Sequence, residues 1–216
     1  HKCNRDDLAM EQQYPVLIVI IPMFTAMVLT LAGWFKPAVC QPLAVVGLLG
    51  SFLSAVATLL QIGAGEVISY RLGGWEPPFG IEYRVDSLNA LVLVMVSFVA
   101  LLVAIFARKP VEKELGNKIS NFYTLFVLLV TGLLGMTITG DAFNLYVLLE
   151  IAALTSYALL AMGRGRAYMA TFNYVILGTI GACFYLLGVG LLLIKTGSLN
   201  MADIGTILPK LVGSET

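Results

Sequence analysis

A glutamate, Glu150, stands near the middle of the apolar stretch "GDAFNLYVLLEIAALTSYALLAMG", residues 140–163. A charge at the centre of a membrane-spanning helix costs about 2.5–3.5 kcal/mol on insertion scales. Protonation, a cationic partner or water in a cavity must offset that cost. Two chemistries follow. The carboxyl is either a protonated packing group, hydrogen-bonded to a neighbouring helix, or a relay that loads and releases protons or answers to an ion. A helix beginning near Phe143 rises about 1.5 Å per residue and puts Glu150 about 10 Å in. Phe143, Tyr146, Ala153, Leu154 and Tyr157 share its face at helical spacing. Tyr157 can donate a hydrogen bond to a neighbour or a water, but lies too far along the helix to be taken as a direct partner of Glu150. Asp141 reads as an interfacial cap before it reads as a relay, because Asp is favoured at helix N-termini. Asn173 is the polar member of the next apolar stretch, and an interfacial hydrogen bond and a relay role are equally open to it.

Those residues need spans to hold them. Of the 216 residues, 59% are hydrophobic and only 12% charged, where a soluble domain carries about a quarter charged. This composition predicts an all-α integral membrane protein. The formal net charge is zero, which argues against nucleic-acid binding. The lone histidine, His1, and the scattered Cys3, Cys40 and Cys183 offer no metal or disulfide framework. Six stretches are long enough to cross a bilayer, at 14–35, 42–63, 87–107, 121–139, 142–162 and 170–194. Pro22 interrupts the first and is expected to kink it, which a packed bundle tolerates. Gly132 and Gly135 in the fourth span, and Gly178, Gly181, Ala182, Gly188 and Gly190 in the sixth, suit close helix packing.

Charge orients the bundle with its N-terminus outside. On that choice the inner loops hold Lys36, Arg108, Lys109, Lys113, Lys118, Arg164 and Arg166, and the outer loops only Arg71 and Arg84. Residues 1–13 form an N-terminal extension, with Met10 placed like a natural start, and no cleavage pattern follows the first apolar stretch. Residues 14–107 hold the first three spans, with an external loop over 64–86. There Ile81, Tyr83 and Val85 alternate with Glu82, Arg84 and Asp86, and "GGWEPP" is turn chemistry, so a β-hairpin covering the bundle is expected. Asp86 or Ser87 caps the third span. Residues 108–120 read as a solvated cytoplasmic loop with one helical turn, and 121–194 as spans four to six. In 195–216, Leu199, Ile204, Ile207, Leu208 and Leu211 suit an interfacial helix.

The stretches "GGWEPPFGIEYRVDSLNAL", "LLVTGLLGMTITGDAFNLYVLLEIAALTSYALLA" and "TFNYVILGTIGACFYLLGVGLL" followed by "IKTGSLNMAD" resemble the D-type membrane protein of multisubunit, Mrp-type cation/proton antiporters. The antiporter-like subunits of respiratory complex I and of membrane-bound hydrogenases are similar more loosely. The resemblance runs from about Met10 to the end of the chain. It implies that Glu150 is the fifth-helix glutamate essential for ion translocation, paired with a lysine on a seventh helix. It also implies a fourteen-helix fold with two inverted five-helix repeats. One departure is "FNY", where many relatives carry a lysine and this chain has Asn173. The other is length: the first repeat would be helices four to eight, and only its first three fall within this chain.

The expectation is therefore the N-terminal part of an ion-translocating antiporter subunit, not an enzyme, without cofactor. Its expected partners are other membrane subunits, the lipid bilayer, H+ and either Na+ or K+, with no nucleic acid. Its expected place is a prokaryotic cytoplasmic membrane. The alternative is a non-transporting structural component of a redox-driven complex. A quinone- or lipid-handling enzyme finds no His cluster, Cys pair, nucleotide loop or nucleophile motif in the sequence.

Overall fold

The computed structural model describes residues 14–62, 67–75, 80–163 and 165–213. The N-terminal extension, Arg164 and part of the "GGWEPP" turn lie outside the described residues. The chain runs α1 (Tyr14–Phe35), α2 (Cys40–Gln61), β1 (Ile68–Arg71), β2 (Glu82–Val85), α3 (Ser87–Phe106), α4 (Arg108–Leu115), α5 (Ile119–Ile138), α6 (Ala142–Ala161), α7 (Ala167–Thr196) and α8 (Met201–Gly213). Among the described residues, six helices are long and apolar enough to cross a membrane, namely α1, α2, α3, α5, α6 and α7. That is the number expected. The hairpin is also present, with Ile68 opposite Val85 and Arg71 opposite Glu82 in antiparallel register.

Helix α5 is the hub, packing against α1, α2, α3 and α6, while α7 leans on α6 at the margin. Ile18, Leu29, Leu48, Leu93, Val127 and Leu134 fill the centre of the bundle. Helix α1 continues through Pro22, which is buried. Proline has no N–H, so the Ile18 carbonyl four residues earlier loses its helical donor. The Ser51 hydroxyl of α2 donates to that carbonyl at 2.6 Å. A neighbouring helix thus supplies the bond the proline removes, as a medium without water requires.

The connector after α3 departs from expectation. It forms α4, eight residues rather than one turn, following α3 across Ala107. Val111 is buried against the bundle, and exposed Arg108 pairs with Glu112 one turn on at 3.3 Å. An apolar anchor and an i,i+4 pair together favour a helix.

In β2, Tyr83 and Val85 turn inward and are buried, whereas Arg84 is exposed. The strand packs on the ends of α1, α3 and α5. The Asp86 carboxylate caps α3, accepting the Asn89 amide at 2.7 Å. The connector between α7 and α8 returns to the same end of the bundle, where Asn200 faces Asp141 in an antiparallel bridge.

Candidate functional site

Helix α6 carries the acid, and two contacts set its place. Against α5, a Cβ on Gly132 would lie 2.9 Å from both the Ala152 nitrogen and the Leu148 carbonyl oxygen. Both are backbone atoms, so only glycine permits this approach. The α5-facing side of α6 is then the side of Leu148 and Ala152. Glu150 stands two residues from each, about 200° around the helix, and so faces away from α5. Against α7, the Tyr157 hydroxyl sits over Gly178, where a Cβ would come within 1.8 Å of it. Tyr157 also meets the Tyr174 ring edge-on at 4.8 Å between centroids. Nearer the hairpin, Tyr146 stacks on Tyr185 at 6.3 Å, and the Tyr185 hydroxyl donates to the Ala142 carbonyl at 3.0 Å. Gly181, Gly188 and Gly190 have nothing within 4 Å of an added Cβ. Of the glycines expected to pack in this span, only Gly178 meets another helix within the described residues.

Glu150 is half-buried between these two aromatic contacts. Among the described residues its carboxylate has no hydrogen bond and no ion pair. It lies within electrostatic reach of Tyr157. Tyr157 itself is buried. Asp141 is buried at the N-cap of α6, its carboxylate accepting the Asn144 amide at 2.6 Å. The Asn144 side chain donates to the Thr139 hydroxyl at 2.9 Å. Asn173 is exposed on α7 beside Tyr174, level with Tyr157 rather than Glu150. Lys195 is exposed in the last turn of α7, about 15 Å beyond Tyr185 along the helix.

Sequence reasoning gave Glu82 no role beyond its place in an alternating strand. The structure puts it at the centre of a junction at the hairpin end. One carboxylate oxygen accepts the Ser69 hydroxyl, and the other accepts the Asn200 side-chain amide at 2.6 Å. Its backbone carbonyl accepts the Gly140 N–H at 2.8 Å. Beside it, the Ala142 N–H reaches the Leu199 carbonyl at 2.9 Å, and the Met201 N–H reaches the Gly140 carbonyl at 2.9 Å. Asn200 also caps α8, its side-chain oxygen accepting the Ala202 and Asp203 amides at 2.9 and 3.2 Å. Desolvation raises the Glu82 pKa. The hydrogen bonds from Ser69 and Asn200 and the charges of Arg84 and Arg71 outweigh it, holding the carboxyl below its ordinary value. Burial pushes the neighbouring Tyr83 phenol up, against a hydrogen bond with Asn144. A bond spanning 118 residues leaves no local signal that would have revealed it.

Among the described residues, clefts of about 310 Å³ with some polar side chains in their lining lie toward the two ends of the bundle. One lies at this junction, lined by Glu82, Arg84, Asp86, Asn89 and Asn200. The other lies between α1, α5 and α6 at the opposite end, lined by Thr30, Ser120, Asn121, Thr124, Ala158 and Met162. Among the described residues, the buried Thr124 hydroxyl has no hydrogen-bond partner. Ala158 lies about 12 Å along α6 from Glu150.

Six apolar helices among the described residues, with a hairpin packed at one end and an acid inside a span, define the class, an integral membrane protein. No family model matches the chain. Over 206 residues it is 43% identical to the N subunit of the NADH-quinone oxidoreductase of Desulforudis audaxviator, covering 95% of this chain and 41% of that protein. It is 34% identical over 205 residues to a Rhizobium meliloti protein named as a probable K(+)/H(+) antiporter component of the D type, covering 91% and 37%. Among solved structures, a chain of the membrane-bound sulfane sulfur reductase, an archaeal respiratory membrane complex, superposes with a TM-score of 0.84 at 34% identity, covering 90% of this chain and 40% of that one. The chain is thus similar to antiporter-like membrane subunits, the D-type antiporter proteins and the N subunit of NADH-quinone oxidoreductase among them. It spans about 40% of the length of these relatives.

Proposed function

We propose that the chain is an ion-translocating part of a cation/proton antiporter subunit, with Glu150 as its proton or charge relay. The observation that carries this is the half-buried carboxylate of α6, without hydrogen bond or ion pair among the described residues, in a chain related to antiporter subunits. A side chain placed at such cost is functional by default. Glu150 exchanges a proton with water reaching it on the face of α6 turned away from α5. In its neutral form it sits at ease among Tyr146, Ala153 and Tyr157. In its charged form it attracts a cationic partner, a lysine from the remainder of a longer subunit or from a neighbouring one. The alternation moves H+ against Na+ or K+. Tyr157 steadies the face on which this happens, Asp141 fixes the start of α6, and Asn173 offers a hydrogen bond to a helix packed on α7. With Lys36, Arg108, Lys109, Lys113 and Lys118 on the cytoplasmic side of a prokaryotic membrane, the N-terminus and the hairpin face outward. Residues 121–194 open the first antiporter repeat, and 195–216 connect it onward.

The test is Glu150→Gln in the assembled complex, with cation-driven collapse of a pH gradient read in everted vesicles. Loss of exchange with normal assembly is expected. Retained exchange overturns the relay and favours the second reading, a structural component of a redox-driven complex. That second reading draws on the 43% identity to a quinone oxidoreductase subunit.

A further inference from the structure

The junction at the hairpin end does more than close a loop. Three chain segments that are distant in sequence meet there, namely β2, the turn at 139–142 and the connector at 198–201. Each is held by at least one bond to another: Gly140 to Glu82, Ala142 to Leu199, Met201 to Gly140, and Asn200 to Glu82. The Ala142 bond holds the first residue of α6, the helix that carries Glu150, the two on Gly140 hold the turn just before it, and the Asn200–Glu82 bond ties the hairpin to the connector. Tyr185 adds a fifth tether, from α7 to the Ala142 carbonyl. Elsewhere α6 touches α7 through rings and Gly178, and α5 through the close approach at Gly132. The only link in this set that joins two side chains is the one between Glu82 and Asn200.

We infer that Glu82 and Asn200 are positioning residues for the Glu150 site: their bond locks the hairpin and the α7–α8 connector onto the start of α6, and so fixes the depth and rotation of Glu150. Glu82 acts here as a hydrogen-bond acceptor. It accepts bonds from Ser69 and Asn200 and faces Arg71 and Arg84, and it carries no proton across. Because α6 is a continuous helix from Ala142 to Ala161, a shift at its first turn moves the carboxylate about 12 Å further on. Misplacement by about 1 Å is enough to cost a reaction a hundredfold.

This inference rests on the proposed relay, and its test separates the two. Asn200→Ser keeps a cap for α8 but cannot reach Glu82. Asn200→Asp keeps the cap and sets two carboxylates face to face, and Glu82→Gln then restores a donor to the new acid. Each variant is made in the assembled complex, and two quantities are read. One is maximal exchange rate against cation KM. The other is the rate at which dicyclohexylcarbodiimide labels Glu150, with Glu150→Gln as the blank. The expected result is a fall of about tenfold in maximal rate for both Asn200 variants, an unchanged KM, an altered labelling rate, and recovery in Glu82→Gln/Asn200→Asp. Wild-type rate and labelling in both Asn200 variants overturn the inference while leaving the relay standing. Failure of Glu82→Gln to recover Asn200→Asp also overturns it. If Glu150→Gln transports normally while Asn200→Ser still alters labelling, the relay falls and the positioning role stands.

Discussion

Replacing Ser51 by alanine removes a donor to the Ile18 carbonyl, to which Pro22 has no N–H to offer. Ser51 and Ile18 are both fully buried, so no water takes the place of the hydroxyl. An orphaned buried acceptor costs about 1–3 kcal/mol. Hydrogen bonds between membrane helices average about 0.6 kcal/mol, with a maximum of about 1.7, since the unfolded chain in the bilayer finds other partners. The 2.6 Å distance and complete burial place this bond near the upper limit, so Ser51→Ala is expected to cost about 1.5 kcal/mol. Pro22→Ala supplies an amide to the same carbonyl. In that background the cost of losing the hydroxyl should fall to about 0.5 kcal/mol, a coupling of about 1 kcal/mol between residues on different helices. Reversible unfolding in mixed micelles, over the four members of the cycle, measures it. Additive costs would show that Ser51 does not answer Pro22, and the account of how α1 tolerates its proline would be wrong.

Gly178→Ala drives a methyl group into the Tyr157 hydroxyl and should cost about 1–3 kcal/mol. Tyr157→Phe removes the nearest clashing atom and leaves the ring carbon 2.9 Å away, so the double variant should recover part of that loss in the same unfolding assay. Glu82 supplies a pH signature. Its folded pKa lies below the ordinary value of 4.5, so the stability it contributes is fully present above that value. It drains away as pH falls through the lower, folded one. The thermal midpoint of the wild-type complex should therefore fall more steeply in acid than that of Glu82→Gln. Parallel curves would refute the assignment.

The spans were legible because crossing a bilayer demands length and apolarity, and both are local properties. The hairpin was legible for the same reason, since Tyr83 and Val85 alternate with Glu82 and Arg84 at the period of a strand. Partner choice between helices was not legible. Gly178 and Gly181 look alike in sequence, yet one lies under Tyr157 and the other has open space beyond it. The Ser51 hydroxyl reaches a carbonyl 33 residues away, and Asn200 reaches across 118. Such bonds depend on how elements are brought together, which composition and periodicity do not encode. The short helix α4 was underestimated because its charges suggested solvent, while the single buried Val111 was enough to anchor it.

Helix α7 has 30 residues and is about 45 Å long, against a hydrocarbon core of about 30 Å. It cannot stand upright without pushing apolar turns into the headgroups, so it must lean, project its ends, or do both. Its foothold is α6, through Gly178, Tyr174 and Tyr185. The geometry of the α6–α7 pair, and with it the surroundings of Glu150, is thereby tied to the thickness of the lipid in which the protein sits.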